Sequence, residues 1–131
     1  MFYRRALKLD ETEAFFIKSE KKLKTAYMAY DLEDYSSALS LAYYAMFLVA
    51  KALVLKKGIK TPKTHAGLIH LFNLHYVHES DFSYEKYRYL AGTQAQREDA
   101  DYDAFDEIDE RTARKRIKQA EEFIEEGKRF L

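Results

Sequence analysis

The sequence predicts an all-α protein, a single up-and-down bundle of about five helices over residues 1–131. Apolar residues recur at steps of three and four in five stretches, and no stretch alternates with the period of a β-strand. One proline and four glycines leave few points at which long helices would break. With 47% hydrophobic and 34% charged residues, the 131-residue chain has the composition of one packed core under a solvated surface.

The first two predicted helices carry most of the apolar pattern. The first runs from about Asp10 to Asp31, with an apolar stripe of Phe16, Leu23, Tyr27 and Tyr30. The second begins near Asp34, a residue type that caps helix N-termini, and ends before Gly58, which can adopt a left-handed C-cap conformation. Because its apolar residues cover two faces, we expect it to lie at the centre of the bundle or at a subunit interface, and we predict a homodimer.

Three further helices complete the predicted bundle. Thr61 and Pro62 are predicted to open the third, with threonine as the cap and proline in the first turn, and this helix ends near Glu79. The fourth runs from about Ser83 to Glu98, and an acidic connection over residues 99–109 follows it. The fifth has a bundle-facing seam with steps of four and three, formed by Ala113, Ile117, Ala120, Ile124, Gly127 and Leu131.

The composition argues against several classes of protein. The chain has no cysteine, which excludes disulfides and thiolate metal sites, and nothing predicts secretion. Basic and acidic residues are equal at 22 each, so the chain lacks the overall positive charge of a general nucleic-acid binder. The most apolar stretch, Ala38–Leu55, contains Ser40 and Lys51 and is too polar for a confident membrane span. We therefore expect a cytoplasmic protein with no membrane association and no cofactor.

Two groups of residues have part of the spacing of a metal site. An acidic group falls at positions one, three, five and twelve of a calcium-binding loop, namely Asp99, Asp101, Asp103 and Glu110. Ala104 stands where that loop requires glycine, and Asp106 where it is usually apolar, so we expect a solvated helix connection instead. His75 and His78 lie one helical turn apart beside Glu79, but no third ligand has matching spacing. We predict no metal site.

Aromatic side chains are abundant, with 11 tyrosines and 9 phenylalanines making up 15% of the chain. Strips that interleave basic and aromatic residues can stack nucleic-acid bases. Most of these aromatics fall at the spacing of a helical core, so packing is the default interpretation. The tyrosines with the best case for a further role are Tyr3, Tyr43, Tyr44, Tyr89 and Tyr102.

Three stretches, taken together in their order and spacing, resemble the HEPN family of small helical domains. The first is Asp34-Tyr35-Ser36-Ser37-Ala38 leading into residues 43–47 and 50–53 and closed by Gly58, the second is Thr64-His65, and the third is residues 97–102 followed by a helix with Ala120 and Phe123. The resemblance covers roughly residues 10–130 and is strongest to stand-alone archaeal and bacterial members.

The resemblance implies an up-and-down helical bundle that is often dimeric. Many family members are encoded beside a minimal nucleotidyltransferase and act with it as a toxin–antitoxin pair. Active members are metal-independent ribonucleases, and their signature is an arginine followed after four to six residues by a histidine. In the dimer, two such motifs face one cleft.

This chain departs from that signature. Arg97 matches the arginine, but the positions where histidine should follow are Tyr102, Asp103 and Ala104. Acid–base cleavage of RNA needs a group that titrates near neutral pH, and neither aspartate nor tyrosine is a good substitute. The resemblance therefore implies binding rather than catalysis. The alternatives are a ribonuclease with a degenerate motif and a structural dimeric adaptor.

The segment from Arg97 to Tyr102 is the predicted functional surface, facing its symmetry mate across a cleft. We expect Arg97 to end the fourth helix and Asp99 and Asp101 to follow within reach of it, while Tyr102 either contacts a base or plugs the core. The other family motifs add candidate ligand-binding residues, namely Tyr43, Tyr44, Lys51 and His65. The predicted role is that of a partner of a small nucleotidyltransferase, binding a nucleotide or RNA.

Overall fold

A computed structural model describes residues 11–102, 104 and 107–131, and within this part of the chain all regular structure is helical. The helices are α1 (Glu11–Asp31), α2 (Tyr35–Lys56), α3 (His65–Phe72), α4 (Tyr84–Tyr102) and α5 (Glu110–Lys128). A π-helical turn, Asn73–His78, continues α3. The predicted all-α bundle is confirmed. Asp10, where the first helix was expected to begin, lies outside the described residues.

Helix α2 is the centre of the bundle and packs against each of the other four helices. Asp34 accepts a hydrogen bond from the Ser37 backbone N–H (3.2 Å), and Gly58 has the expected positive φ of 73°. By length and composition α2 could span a membrane, but 72% of its most apolar stretch is buried inside the fold, as in a core helix. Both of its apolar faces are largely covered within one chain, so they do not by themselves require a dimer.

The predicted start of the third helix is wrong by three residues. Helix α3 begins at His65, and the cap is Thr64, whose hydroxyl accepts a hydrogen bond from the Gly67 N–H at 3.0 Å. A Cβ atom at Gly67 would lie 2.7 Å from the Thr64 hydroxyl and 3.2 Å from Pro62. The Thr61-Pro62 pair therefore lies in the connection before the helix, packed against the first turn that it was expected to form.

The predicted end of the fourth helix is also wrong, because α4 continues through the acidic residues to Tyr102. Acidic residues at a helix C-terminus oppose the helix dipole, which is why the sequence favoured an earlier end. Ala100 packs against the core, and Arg97 pairs with Asp101 one turn later at 3.8 Å, which supports the extra turn. Asp99 and Asp101 are thus helical rather than part of a calcium-binding loop, while Asp103 lies outside the described residues.

Helix α5 forms the predicted seam from Ala113 to Gly127 and approaches its neighbours most closely at Gly127, while Leu131, the last residue of the predicted seam, lies beyond the helix and is 53% exposed. Asp109 caps the helix by accepting a hydrogen bond from the Thr112 N–H at 2.8 Å. A Cβ atom at Gly127 would lie 2.5 Å from Val49 Cγ1 of α2 and 3.1 Å from the Phe16 ring of α1. Glycine at this position therefore lets three helices meet.

Candidate anion-binding site

Arg97 is held against two tyrosines of α2. Its guanidinium carbon lies 5.3 Å from the ring centroid of Tyr43 and 5.0 Å from that of Tyr44, within the range of cation–π attraction. The guanidinium donates a hydrogen bond to the Tyr44 hydroxyl at 3.1 Å, and a weaker ion pair joins it to Asp101. Its side chain remains 23% exposed, so the guanidinium is oriented by the protein and still accessible to a ligand.

His65, the first residue of α3, joins the same cluster. Its Nδ1 atom lies 2.8 Å from the Tyr43 hydroxyl. Its ring stacks on Phe47 with centroids 4.1 Å apart and meets the Tyr44 ring edge-on at 5.9 Å. Two adjacent tyrosines of α2 thus connect an imidazole of α3 with a guanidinium of α4.

Lys51 extends the cluster along α2, one helical turn beyond Phe47. Its Nζ atom lies 4.7 Å from the ring centroid of Phe15 of α1. The pKa of His65 is lowered, chiefly by burial and then by the positive charges of Arg97 and Lys51, while Glu98 acts in the opposite direction. Burial first, and then the positive charges of Arg97 and Lys51, therefore favour the neutral imidazole near pH 7.

The Tyr43 hydroxyl keeps its proton throughout the physiological range. Its side chain is fully buried, and this burial raises its pKa above the ordinary tyrosine value even though the charge of Arg97 acts to lower it. The hydroxyl is therefore a permanent hydrogen-bonding group beside the imidazole of His65.

The structure brings together five of the eight predicted site residues, namely Arg97, Tyr43, Tyr44, Lys51 and His65. Asp101 contacts Arg97 from the solvent side, and Asp99 is exposed. Tyr102 is 91% exposed, so the alternative that it plugs the core is wrong. Phe47 was missed as a site residue, although its position one turn from Tyr43 and Tyr44 on the same helix face could have indicated it.

The other candidates from the sequence do not form a second site. Among the described residues no three histidine or acidic side chains are close enough to hold a metal ion. His75 pairs with Glu79 at 3.2 Å, and His78 is exposed. Tyr89 donates a hydrogen bond to Glu85 at 3.0 Å, and Tyr3 lies outside the described residues.

The sequence profile of the HEPN domain matches residues 12–130, nearly the whole chain. The chain belongs to the HEPN family. Its all-α bundle is the fold of that family, and the resemblance carried by its three motifs is confirmed.

Relatives of this HEPN domain occur in archaea. A Methanocaldococcus jannaschii protein named "Putative toxin" is 33% identical over 121 residues, which are 92% of this chain and 82% of that protein. A second protein of that organism with the same description is 34% identical over 122 residues, covering 93% and 90%. A "UPF0332 protein" of Archaeoglobus fulgidus is 34% identical over 120 residues, covering 92% and 94%.

This HEPN domain lacks the histidine that should follow Arg97 in sequence, yet it places another imidazole beside that arginine. His65 reaches the cluster from the preceding helix and is linked to Arg97 through Tyr43 and Tyr44. The arrangement can present a planar cation, a neutral imidazole and an ammonium group to one anion.

Proposed function

We propose that this HEPN domain is a component of a toxin–antitoxin-like system, in which it binds the phosphate groups of a nucleotide or RNA and has a small nucleotidyltransferase as its partner protein. The observation that carries the proposal is the cluster of Arg97, His65 and Lys51 on the aromatic surface of α2. The names of two relatives, which carry the word toxin, agree with the system proposed.

The chemistry of the cluster suits a phosphate. A guanidinium offers parallel N–H groups that match two phosphate oxygens, and stacking on Tyr43 and Tyr44 holds its plane in place before a ligand arrives. Because the cluster is partly shielded from water, an added anion would be screened less there than on an open surface. This local positive charge can thus attract a phosphate although the overall charge of the chain is neutral.

The geometry favours binding over cleavage. A general base needs an unprotonated nitrogen that faces the substrate. In His65, Nδ1 is engaged by the Tyr43 hydroxyl. When that hydroxyl donates, the proton of the neutral ring lies on Nε2, which then acts as a donor.

A metal-independent ribonuclease is the second candidate function, and one observation favours it. His65 is neutral near pH 7 and lies in the same cluster as Arg97, so an imidazole is present despite the degenerate motif. Cleavage of a single-stranded RNA that stops on replacement of His65 by glutamine would support this candidate over binding alone.

The proposed function includes a homodimer. The two apolar faces of α2 are covered within the chain, so the remaining structural support comes from exposed apolar side chains of α1 and of the turn that follows it. Ile17, Met28 and Leu32 are 49%, 59% and 81% exposed. A dimer that binds neither RNA nor nucleotide would instead indicate the third alternative, a structural adaptor.

Replacement of Arg97 by alanine tests the binding proposal. We expect the affinity for a fluorescent single-stranded RNA to fall about tenfold or more, since a charged hydrogen bond contributes about 1.5–3 kcal/mol. Arg88→Ala removes an exposed arginine from the same helix and is the control, with affinity expected to stay within about twofold. Equal losses in both variants would contradict a specific site. Capture of a nucleotidyltransferase from the native host by the tagged protein tests the partner.

A further inference from the structure

We propose that Arg97 and His65 hold the same phosphate group of a single-stranded RNA, and that binding is accompanied by uptake of one proton on His65. The inference rests on the proposed function, because it assigns the ligand class and the pH dependence of that site. In the family signature the arginine and the histidine lie on one helix, whereas here Arg97 lies on α4 and His65 on α3.

Arg97 and His65 both contact the adjacent tyrosines Tyr43 and Tyr44 of α2. Arg97 lies 5.0 Å and His65 5.9 Å from the ring centroid of Tyr44. The hydroxyl of Tyr44 accepts from Arg97, and the hydroxyl of its neighbour Tyr43 contacts His65. Since both donors are anchored on adjacent residues of α2, their distance apart is set by a rigid helix. In the proposed complex, one phosphate contacts both prearranged groups.

The tautomer of His65 follows from the burial of Tyr43. In the described part of the chain, the Tyr43 hydroxyl has the imidazole as its hydrogen-bond partner. A buried hydroxyl that directs its hydrogen to Nδ1 leaves the ring proton on Nε2, which is free to donate to a phosphate oxygen. If His65 gains a proton, Nδ1–H donates to the Tyr43 oxygen, the hydroxyl hydrogen of Tyr43 turns away from the imidazole, and Nε2–H is unchanged. Protonation therefore adds charge without removing the donor.

The charges around His65 couple its protonation to the ligand. The charged groups that act on its pKa are Lys51 of α2 and Arg97 and Glu98 of α4, and the tyrosines that contact its ring are Tyr43 and Tyr44 of α2. In the free protein, burial and the two cations lower the pKa of His65, and Glu98 offsets them in part. A phosphate placed between the cations compensates their charge, so the pKa of His65 rises on binding. By linkage, the affinity for phosphate must increase as the pH falls through the pKa that His65 has in the complex.

The surroundings favour single-stranded RNA over duplex. Each basic group lies on a partly buried aromatic ring: Lys51 on Phe15, His65 on Phe47, and Arg97 on Tyr44. The outer faces of the imidazole and guanidinium planes can each stack on an unpaired base, a contact that paired bases in a duplex do not offer. Basic side chains of α2, α3 and α4 thus lie beside aromatic rings, as a ligand that carries both bases and phosphates requires.

Oligouridine is the probe that tests this inference. Neither its phosphodiesters nor its bases titrate between about pH 8 and about pH 5.5, so a change in affinity over this range reports on the protein. We expect fluorescence anisotropy at constant ionic strength to show affinity rising severalfold as the pH is lowered, because binding raises the pKa of His65. In His65→Gln, which keeps hydrogen-bonding capacity but cannot gain a proton, we expect no pH dependence.

The test has a matched control and four contrary outcomes. His70→Gln removes an exposed histidine from the same helix and is expected to keep the full pH dependence. If His65→Gln also keeps it, or if the wild-type protein binds oligouridine equally at every pH, the inference is wrong although the proposed function survives. If the wild-type protein binds neither oligouridine nor inorganic phosphate at any pH, the proposed function itself fails. Binding of inorganic phosphate alone would contradict RNA as the ligand.

Discussion

Arg97→Lys separates the two roles of this side chain, support of the fold and binding of phosphate. The alanine variant loses the hydrogen bond to Tyr44 and the stacking on two rings together. At 23% exposure these contacts contribute about 1 kcal/mol for the hydrogen bond and about 0.5–1 kcal/mol for the cation–π contacts. Alanine should therefore reduce the free energy of unfolding by about 2 kcal/mol, so that its effect on binding is mixed with an effect on folding.

Lysine keeps the positive charge and one donor, and its ammonium group can still lie over a tyrosine ring, so we expect it to reduce the free energy of unfolding by less than about 1 kcal/mol. It lacks the planar fork that contacts two phosphate oxygens, so affinity for single-stranded RNA should fall about tenfold. Urea denaturation and fluorescence anisotropy on the same samples measure the two quantities. Arg88→Lys on the exposed face of α4 is the control. Full RNA affinity in Arg97→Lys, at unchanged stability, would refute the bidentate contact.

Two further predictions concern packing and assembly. Gly127→Ala should reduce the free energy of unfolding by about 1–3 kcal/mol relative to Gly92→Ala, because its methyl group would lie 2.5 Å from an α2 side chain. The methyl group of Gly92→Ala would meet only the flexible Arg116 side chain, at 3.4 Å. Equal stabilities of the two variants in thermal denaturation would contradict this prediction. Sedimentation at tens of micromolar should show a dimer that Leu32→Glu converts to monomer, since Leu32 is 81% exposed, and a wild-type monomer would rule out the homodimer.

The helices were predictable wherever their signals are local. Asp34 and Gly58 bound α2 as expected, and the seam of α5 follows a regular step. Prediction failed where two local signals competed. Thr61 and Thr64 are both suitable caps, and only the fit of Gly67 against Pro62 selects the second. Acidic residues argued for an early end of α4, but packing of its last turn against the core outweighed the helix dipole.

The candidate site was predictable as a set of residue types rather than as an arrangement. Arg97, His65 and the tyrosine pair stand out because each falls in a motif that resembles the HEPN family. Nothing in their spacing indicates that His65 contacts Tyr43, or that Phe47 lies beneath the imidazole ring. Tyr102 does not plug the core, because residues five apart on a helix do not point in the same direction as each other and its side chain is 91% exposed.

The sequence by itself determined the fold class, the choice for α2 between the centre of the bundle and a subunit interface, and the absence of a histidine after Arg97, because helical periodicity, capping residues and motif positions are properties of neighbouring residues. The tertiary structure decided that an imidazole nevertheless lies in the same cluster as that arginine. It did so by packing α3 and α4 against the same two tyrosines of α2, which brings Arg97 and His65 to one support. Such a pairing depends on how three helices pack together, and helical periodicity specifies which residues face the core without specifying which of them meet.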